Sequence, residues 1–252
     1  MGQRVQVGFS QRIQLDWLER TAELLLAGST RRELQTALDD FLANKLSVGN
    51  NAKSTNRSKA ITILLKIWVS VPQGLEPLRN EALEHLRRLP IDEHLPVHWG
   101  MTMAVYPFFS IVAETVGRLL RLQGSCAAAH AQRRIREQLG ERETVSRATR
   151  RALRCFVDWG VLQDTPEKGV YQAAPARLIE DKKLVAWLIE AALIASSKEL
   201  ASLNAITQTP AFFPFATTQF NPRDLEGNER LELFHQGLDE KMVRHKFPSI
   251  IS

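Results

Sequence analysis

Cysteine and long apolar runs are both scarce in this 252-residue chain, and each shortage removes a class of explanation. The two cysteines, Cys126 and Cys155, each fall in an apparent helix among alanines or large apolar residues. A thiol in such a place behaves as a small hydrophobe, so both are expected to be reduced core thiols rather than a disulfide framework. The longest apolar stretches, 61–65 and 101–109, stop well short of the roughly 18 residues that a membrane span requires. The start of the chain, Met-Gly-Gln-Arg-Val-Gln-Val, lacks an apolar core followed by a small-residue cleavage site. No membrane partner is therefore expected, and the cytoplasm is the expected location.

Catalytic signatures are missing as well. There is no Walker-type glycine loop, no Gly-x-Ser-x-Gly elbow and no His-Glu-x-x-His pattern. The six histidines are scattered, and the close pair His94 and His98 has neither a cysteine nor a third histidine at ligand spacing. Asp39, Asp40, Asp92 and Glu93 read as helix-surface or loop acids, not as a set converging on a metal. No metal, no cofactor and no enzymatic activity are expected.

What the chain does have is an uneven distribution of charge. The composition, 44% hydrophobic and 24% charged, is that of an ordinary globular protein, and the formal net charge is only +5. Between Arg118 and Arg154, however, ten arginines face three acids, Glu137, Glu141 and Glu143. That local balance of +7 against +5 for the whole leaves −2 for the remainder. The excess positive charge belongs to one segment, and such clustering is informative about partners.

Periodicity places that segment in a mainly α fold of three parts: an N-terminal helical domain over 1–95, a winged helix-turn-helix over 96–175 with a short β-hairpin wing, and a C-terminal helical extension over 176–252 packed on the body. Apolar spacing predicts helices over 12–27, stopped by Gly28, and over 30–43, opened by the capping box Thr30-Arg31-Arg32-Glu33. A third begins near Ser54 or Thr55, and a fourth covers 75–89. Pro90, Pro96 and Gly100 mark an irregular connection, followed by aromatic packing over 98–109. One long helix is expected over 176–197, an ordered loop or short strand over 209–222, and a last helix over 229–245.

Within the basic segment a helix over 110–122 leads to helices over 126–139 and 145–158, closed by Gly140 and Gly160. Strand-like runs at 161–163 and 170–172 flank a turn, which gives the order helix, helix, helix, hairpin. In the third helix Val145, Ala148, Ala152, Leu153, Phe156 and Val157 form an apolar face. The opposite face carries Ser146, Arg147, Arg150, Arg151 and Arg154. Like charges at these spacings weaken an isolated helix by a few tenths of a kcal/mol per pair, and phosphates offset the repulsion. In helix-turn-helix proteins the second helix of the motif reads base edges while neighbouring cations hold the backbone. Ser146, Arg147, Arg150 and Arg151 are thus the candidate readers of double-stranded DNA. Arg154, Arg142, Arg133, Arg134, Arg136 and the wing-tip Lys168 are candidate phosphate contacts. A weaker basic stretch, 45–66, adds Lys53, Arg57 and Lys59 and contains no acid.

The patch Ala22-Glu23-Leu24-Leu25-Leu26-Ala27-Gly28 with the helix after it, Lys53-Ser54-Thr55-Asn56-Arg57, and the Ser/Thr entry, paired arginines and short wing of 144–162 resemble the BrxA proteins of BREX bacterial phage-defence systems. The resemblance implies a small non-enzymatic DNA-binding protein that works beside other defence-system proteins. The long region 176–252 and the aromatic segment 99–109 depart from that family's pattern. Two alternatives share the same residues: a transcriptional repressor, and an adaptor docking an acidic protein partner. In each, the flanking helices are left for scaffold contacts or a homodimer.

Overall fold

The computed structural model describes residues 7–46, 55–217, 220–225, 228–236 and 240–246. Helix α1 (Leu15–Leu26) turns Trp17, Leu18, Thr21 and Ala22 inward and stops before Gly28, whose φ of 83° favours glycine. The capping box forms: the Glu33 amide donates to Thr30 Oγ1 at 3.4 Å and the Thr30 amide donates to the Glu33 carboxylate at 2.7 Å. This opens α2 (Arg31–Leu42), which buries Leu34, Leu38 and Leu42. Thr55 opens α3 (Asn56–Trp68) by accepting from the Ser58 amide at 3.0 Å. Helix α4 (Glu76–Arg88) follows.

The connection expected around Pro90, Pro96 and Gly100 is mostly helical instead. Only a 3-10 turn, Ile91–Glu93, separates α4 from α5 (Leu95–Val105). Pro96 sits in the first turn of α5, where its missing N–H has no helical partner to lose. All eleven positions of α5 are buried, so the helix has no polar face and no period to read. Helix α6 (Pro107–Gln123) departs at 118° to it and ends at Gly124. Among the described residues, no single helix is long and apolar enough to cross a membrane.

A short strand, β1 (Cys126–Ala127), then precedes α7 (Ala128–Leu139), α8 (Glu143–Asp158) and the antiparallel pair β2 (Leu162–Asp164) and β3 (Val170–Ala173). Cys126 and Ala127, expected to be helical, pair instead with Tyr171 and Val170, which closes a three-stranded sheet in the order β1-β3-β2. The chain continues through β4 (Arg177–Ile179) into α9 (Lys182–Ser196), which is buried from Leu184 to Ala195. After β5 (Leu200–Ser202) and α10 (Leu203–Thr207), the Phe- and Pro-rich stretch folds as a 3-10 turn, Pro210–Phe212, and a strand, β6 (Phe215–Thr217), parallel to β4. It packs on the body as ordered loop and short strand, as expected.

The last helix expected over 229–245 is overturned. Residues there form an antiparallel hairpin, β7 (Leu231–Gln236) and β8 (Glu240–His245), with β5 on the far side of β8. Two forces account for it. Val243 and His245 are buried around an exposed Arg244, as alternation along a strand allows, and Met242 is buried beside them. Arg230 and His245 also converge on the buried Glu190 of α9, at 2.7 and 3.0 Å, and one helix does not present both.

One hydrophobic cluster runs from Phe9 to Val243 through every helix. Two glycines permit its tightest approaches. A Cβ on Gly100 would lie 2.4 Å from the Trp187 ring, and one on Gly117 would lie 1.9 Å from the Pro210 carbonyl oxygen. Backbone, unlike a side-chain tip, cannot swing aside. Gly117→Ala is therefore expected to lower stability by about 1–3 kcal/mol, the range of overpacked cores, read as a lower urea midpoint at constant slope. An unchanged midpoint would show that the 210–212 turn does not hold this position.

Candidate nucleic-acid interface

Gly140, with φ of 95°, ends α7, and Arg142 leads into α8. Helix α8 buries Val145, Ala148, Thr149, Ala152, Leu153, Cys155 and Phe156. The expected apolar face is thus present, with Thr149 and Cys155 added and Val157 only half-buried. Burial pushes the Cys126 thiol up to about 11 and the Cys155 thiol up to about 12, so neither supplies a thiolate at neutral pH. On the opposite face Arg147 and Arg150 are exposed and Ser146, Arg151 and Arg154 are half-buried.

The chain's N-terminal segment reaches this helix from the other side. The Ile13 amide lies 3.2 Å from Cys155 Sγ, and Trp159 Nε1 donates to the Ile13 carbonyl at 2.9 Å. Ile13 is completely buried there, and Arg12 beside it forms an ion pair with Asp158. Arg12, Arg147, Arg150, Arg151 and Arg154 then line one shallow concavity of about 380 Å³. Among the described residues, no acid lines it.

The acids stand at its border. Arg147 donates to Glu143 at 2.8 Å one turn earlier, and Arg154 is 3.5 Å from Asp164 on β2. Arg150 and Arg151 make no ion pair among the described residues. Burial, then the like charges of Arg147 and Arg150, push the Arg151 guanidinium below its usual value. Arginine nevertheless stays charged at any physiological pH.

The remaining candidates lie outside this concavity. Arg142 donates to the Leu139 carbonyl at 3.2 Å and so closes the end of α7. Arg133 lies 3.8 Å from Glu137, and Arg136 lies 3.7 Å from Glu141. Arg134 on α7 and Lys168 beside Gly169 at the hairpin turn are exposed and make no ion pair among the described residues. The basic stretch 45–66 is free of acids only along the sequence. Asp39 of α2 holds Arg57 at 2.8 Å, and Asp16 of α1 holds Lys45 at 2.7 Å. Lys59 is half-buried on α3, and Lys53 lies outside the described residues.

Arg12 is the residue of this concavity that sequence reading misses. It stands alone in Ser-Gln-Arg-Ile-Gln, far from the basic segment, and only the packing of Ile13 on α8 brings it there. The chain matches no known family model, no curated protein and no solved structure.

Four of the five arginines share two turns of one helix, so removing one relieves repulsion. Arg151→Gln is expected to raise stability by roughly 0.5 kcal/mol at low ionic strength, from two like-charge spacings. The gain should shrink as salt screens the charges. A thermal melt of both proteins across a salt series checks it, and a destabilised variant at low salt would mean that Arg151 packing outweighs its charge.

Proposed function

We propose that this protein is a non-enzymatic binder of double-stranded DNA, using the segment from α6 to β3 as a winged helix-turn-helix. The observation that carries the reading is the concavity of five arginines on the outer face of α8, which among the described residues has no acid in its lining and leaves Arg150 and Arg151 without an ion pair. The order helix, strand, helix, helix, hairpin, with a three-stranded antiparallel sheet, supports it by giving α8 the position of a recognition helix. Ser146, Arg147, Arg150 and Arg151 are then the groove-facing side chains, and Arg12 and Arg154 hold the phosphates beside them. Arg134 and Lys168 are free to extend the contact along the backbone. The resemblance to BrxA proteins extends this reading to a component of a bacterial phage-defence system. A transcriptional repressor would share this chemistry and differ in preferring an operator over random duplex.

Labelled duplex titrated across a salt series tests the proposal. Each phosphate neutralised contributes about −0.9 to the slope of log affinity against log salt, so four to five contacts give a slope near ~−4. Arg150→Glu with Arg151→Glu should abolish binding while leaving the circular dichroism spectrum unchanged. Glu143→Gln, which releases Arg147, should tighten it. Salt-independent binding, or full affinity in the double variant, would overturn the assignment of this face; an acidic protein bound in place of DNA would make the chain an adaptor.

A further inference from the structure

A second cluster of polar groups lies away from the arginines, where α1 meets the start of α5. Glu19 projects from α1, while His94 immediately precedes α5 and His98 lies one turn further on. Both Glu19 carboxylate oxygens lie 3.0 Å from His94 Nδ1, and one of them lies 2.8 Å from His98 Nε2. One ligand atom from each residue falls within 4.8 Å of the others. Sequence reading dismissed the histidine pair because no third ligand stands near it in the chain. The third group is a carboxylate 75 residues from His94, supplied by another helix.

The hydrogen-bond direction at His94 is the informative detail. Its Nε2 is 2.9 Å from the Leu89 carbonyl, an acceptor only, so Nε2 carries the proton. In the neutral ring the lone pair of Nδ1 then points at a carboxylate, and two such acceptors do not attract. A cation must sit between them, either a proton or a metal ion. An imidazole that donates its far N–H to a backbone carbonyl while its near nitrogen faces a carboxylate has the outer support usual for a metal-bound histidine. A tetrahedral shell with bonds of about 2.0–2.1 Å has edges of about 3.3–3.4 Å, so the carboxylate–imidazole separations of 2.8–3.0 Å need to open by only a few tenths of an ångström to admit the ion. His98 is completely buried and its far nitrogen, Nδ1, has no hydrogen-bond partner among the described residues, while the side chains of His94 and Glu19 keep 9% and 15% exposure.

We infer that Glu19, His94 and His98 form a binding site for a divalent transition-metal ion, with His94 Nδ1, His98 Nε2 and a Glu19 oxygen as ligands. Two imidazoles and one carboxylate suit zinc, and three protein ligands leave a position for water. The ion would tie α1 to the buried α5.

The test uses the full chain without a histidine tag, stripped with chelator and titrated with zinc against a chromophoric competitor. The expected result is a single equivalent bound by the wild type, a higher Tm on zinc addition, and a d–d spectrum of low coordination number when cobalt replaces zinc. Glu19→Gln and His94→Gln should both lose the equivalent and the Tm rise, while circular dichroism stays that of the wild type. His98 is too deeply buried for a clean variant, so the two more accessible ligands carry the comparison. A wild type that takes up no zinc would make the cation a proton and overturn the site. Uptake undiminished in both variants would overturn it equally, by placing the metal elsewhere.

Discussion

The direction in which α8 faces depends on Trp99. This side chain, at the middle of the wholly buried α5, stands with its ring centroid 5.0 Å from Phe109, 4.9 Å from Phe156 and 5.9 Å from Trp159. Phe213 lies at 5.7 Å from the same ring and Phe215 at 5.9 Å, and its Nε1 donates to the Ala211 carbonyl at 3.2 Å. One indole thus joins α5, α6, the apolar side of α8 and the C-terminal region. Aromatic contacts of this kind contribute about 0.5–1.5 kcal/mol each beyond the area they bury. Phe156 and Trp159 are held on the inner side of α8, so the arginines one helical face away have only the outside to occupy.

Charged groups inside the molecule place the outlying parts in a similar way. Glu190 is buried in α9, yet the hydrogen bonds from His245 and Arg230 outweigh burial and keep its carboxyl below the usual range. Removing one partner from such a buried set leaves a charge without compensation, which costs about 3–5 kcal/mol. The terminal hairpin is therefore positioned by two specific side chains as well as by Val243. Arg12 and Asp158 act likewise at the surface end of α8, with Ile13 and Trp159 providing the buried contact beneath them.

Much of this was legible in the sequence, and the exceptions share a cause. A helix with one polar face announced itself through Val145, Ala152 and Phe156, and the starts of others through Thr30 and Thr55. The arginine face of α8 was read correctly because a charged stripe opposite an apolar one is a local pattern. Helix α5 escaped because burial on every side erases the period, and Pro96 looked like a breaker when it was a first-turn residue. The terminal hairpin escaped because its pairing partner β5 and its anchor Glu190 are distant in the chain. Arg12 in the concavity, and Asp39 beside Arg57, are tertiary facts of the same type: each changed the charge balance of a patch that the sequence alone misjudged.

The charge balance around α8 favours exchange of partners over permanent pairing. Glu143 and Asp164 hold Arg147 and Arg154 at the rim, where all four side chains are at least 41% exposed. Exposed pairs of this kind are worth about 0–1 kcal/mol and are screened by salt, so an incoming anion displaces them at little cost. Among the described residues, Arg150 and Arg151 have no pair to give up. Without acids at the rim, five neighbouring guanidinium groups would repel one another through the whole free state; with acids inside the concavity, phosphate would have to remove them first. Acids at the border and none within is the arrangement that keeps α8 helical when alone and leaves its centre open to a polyanion.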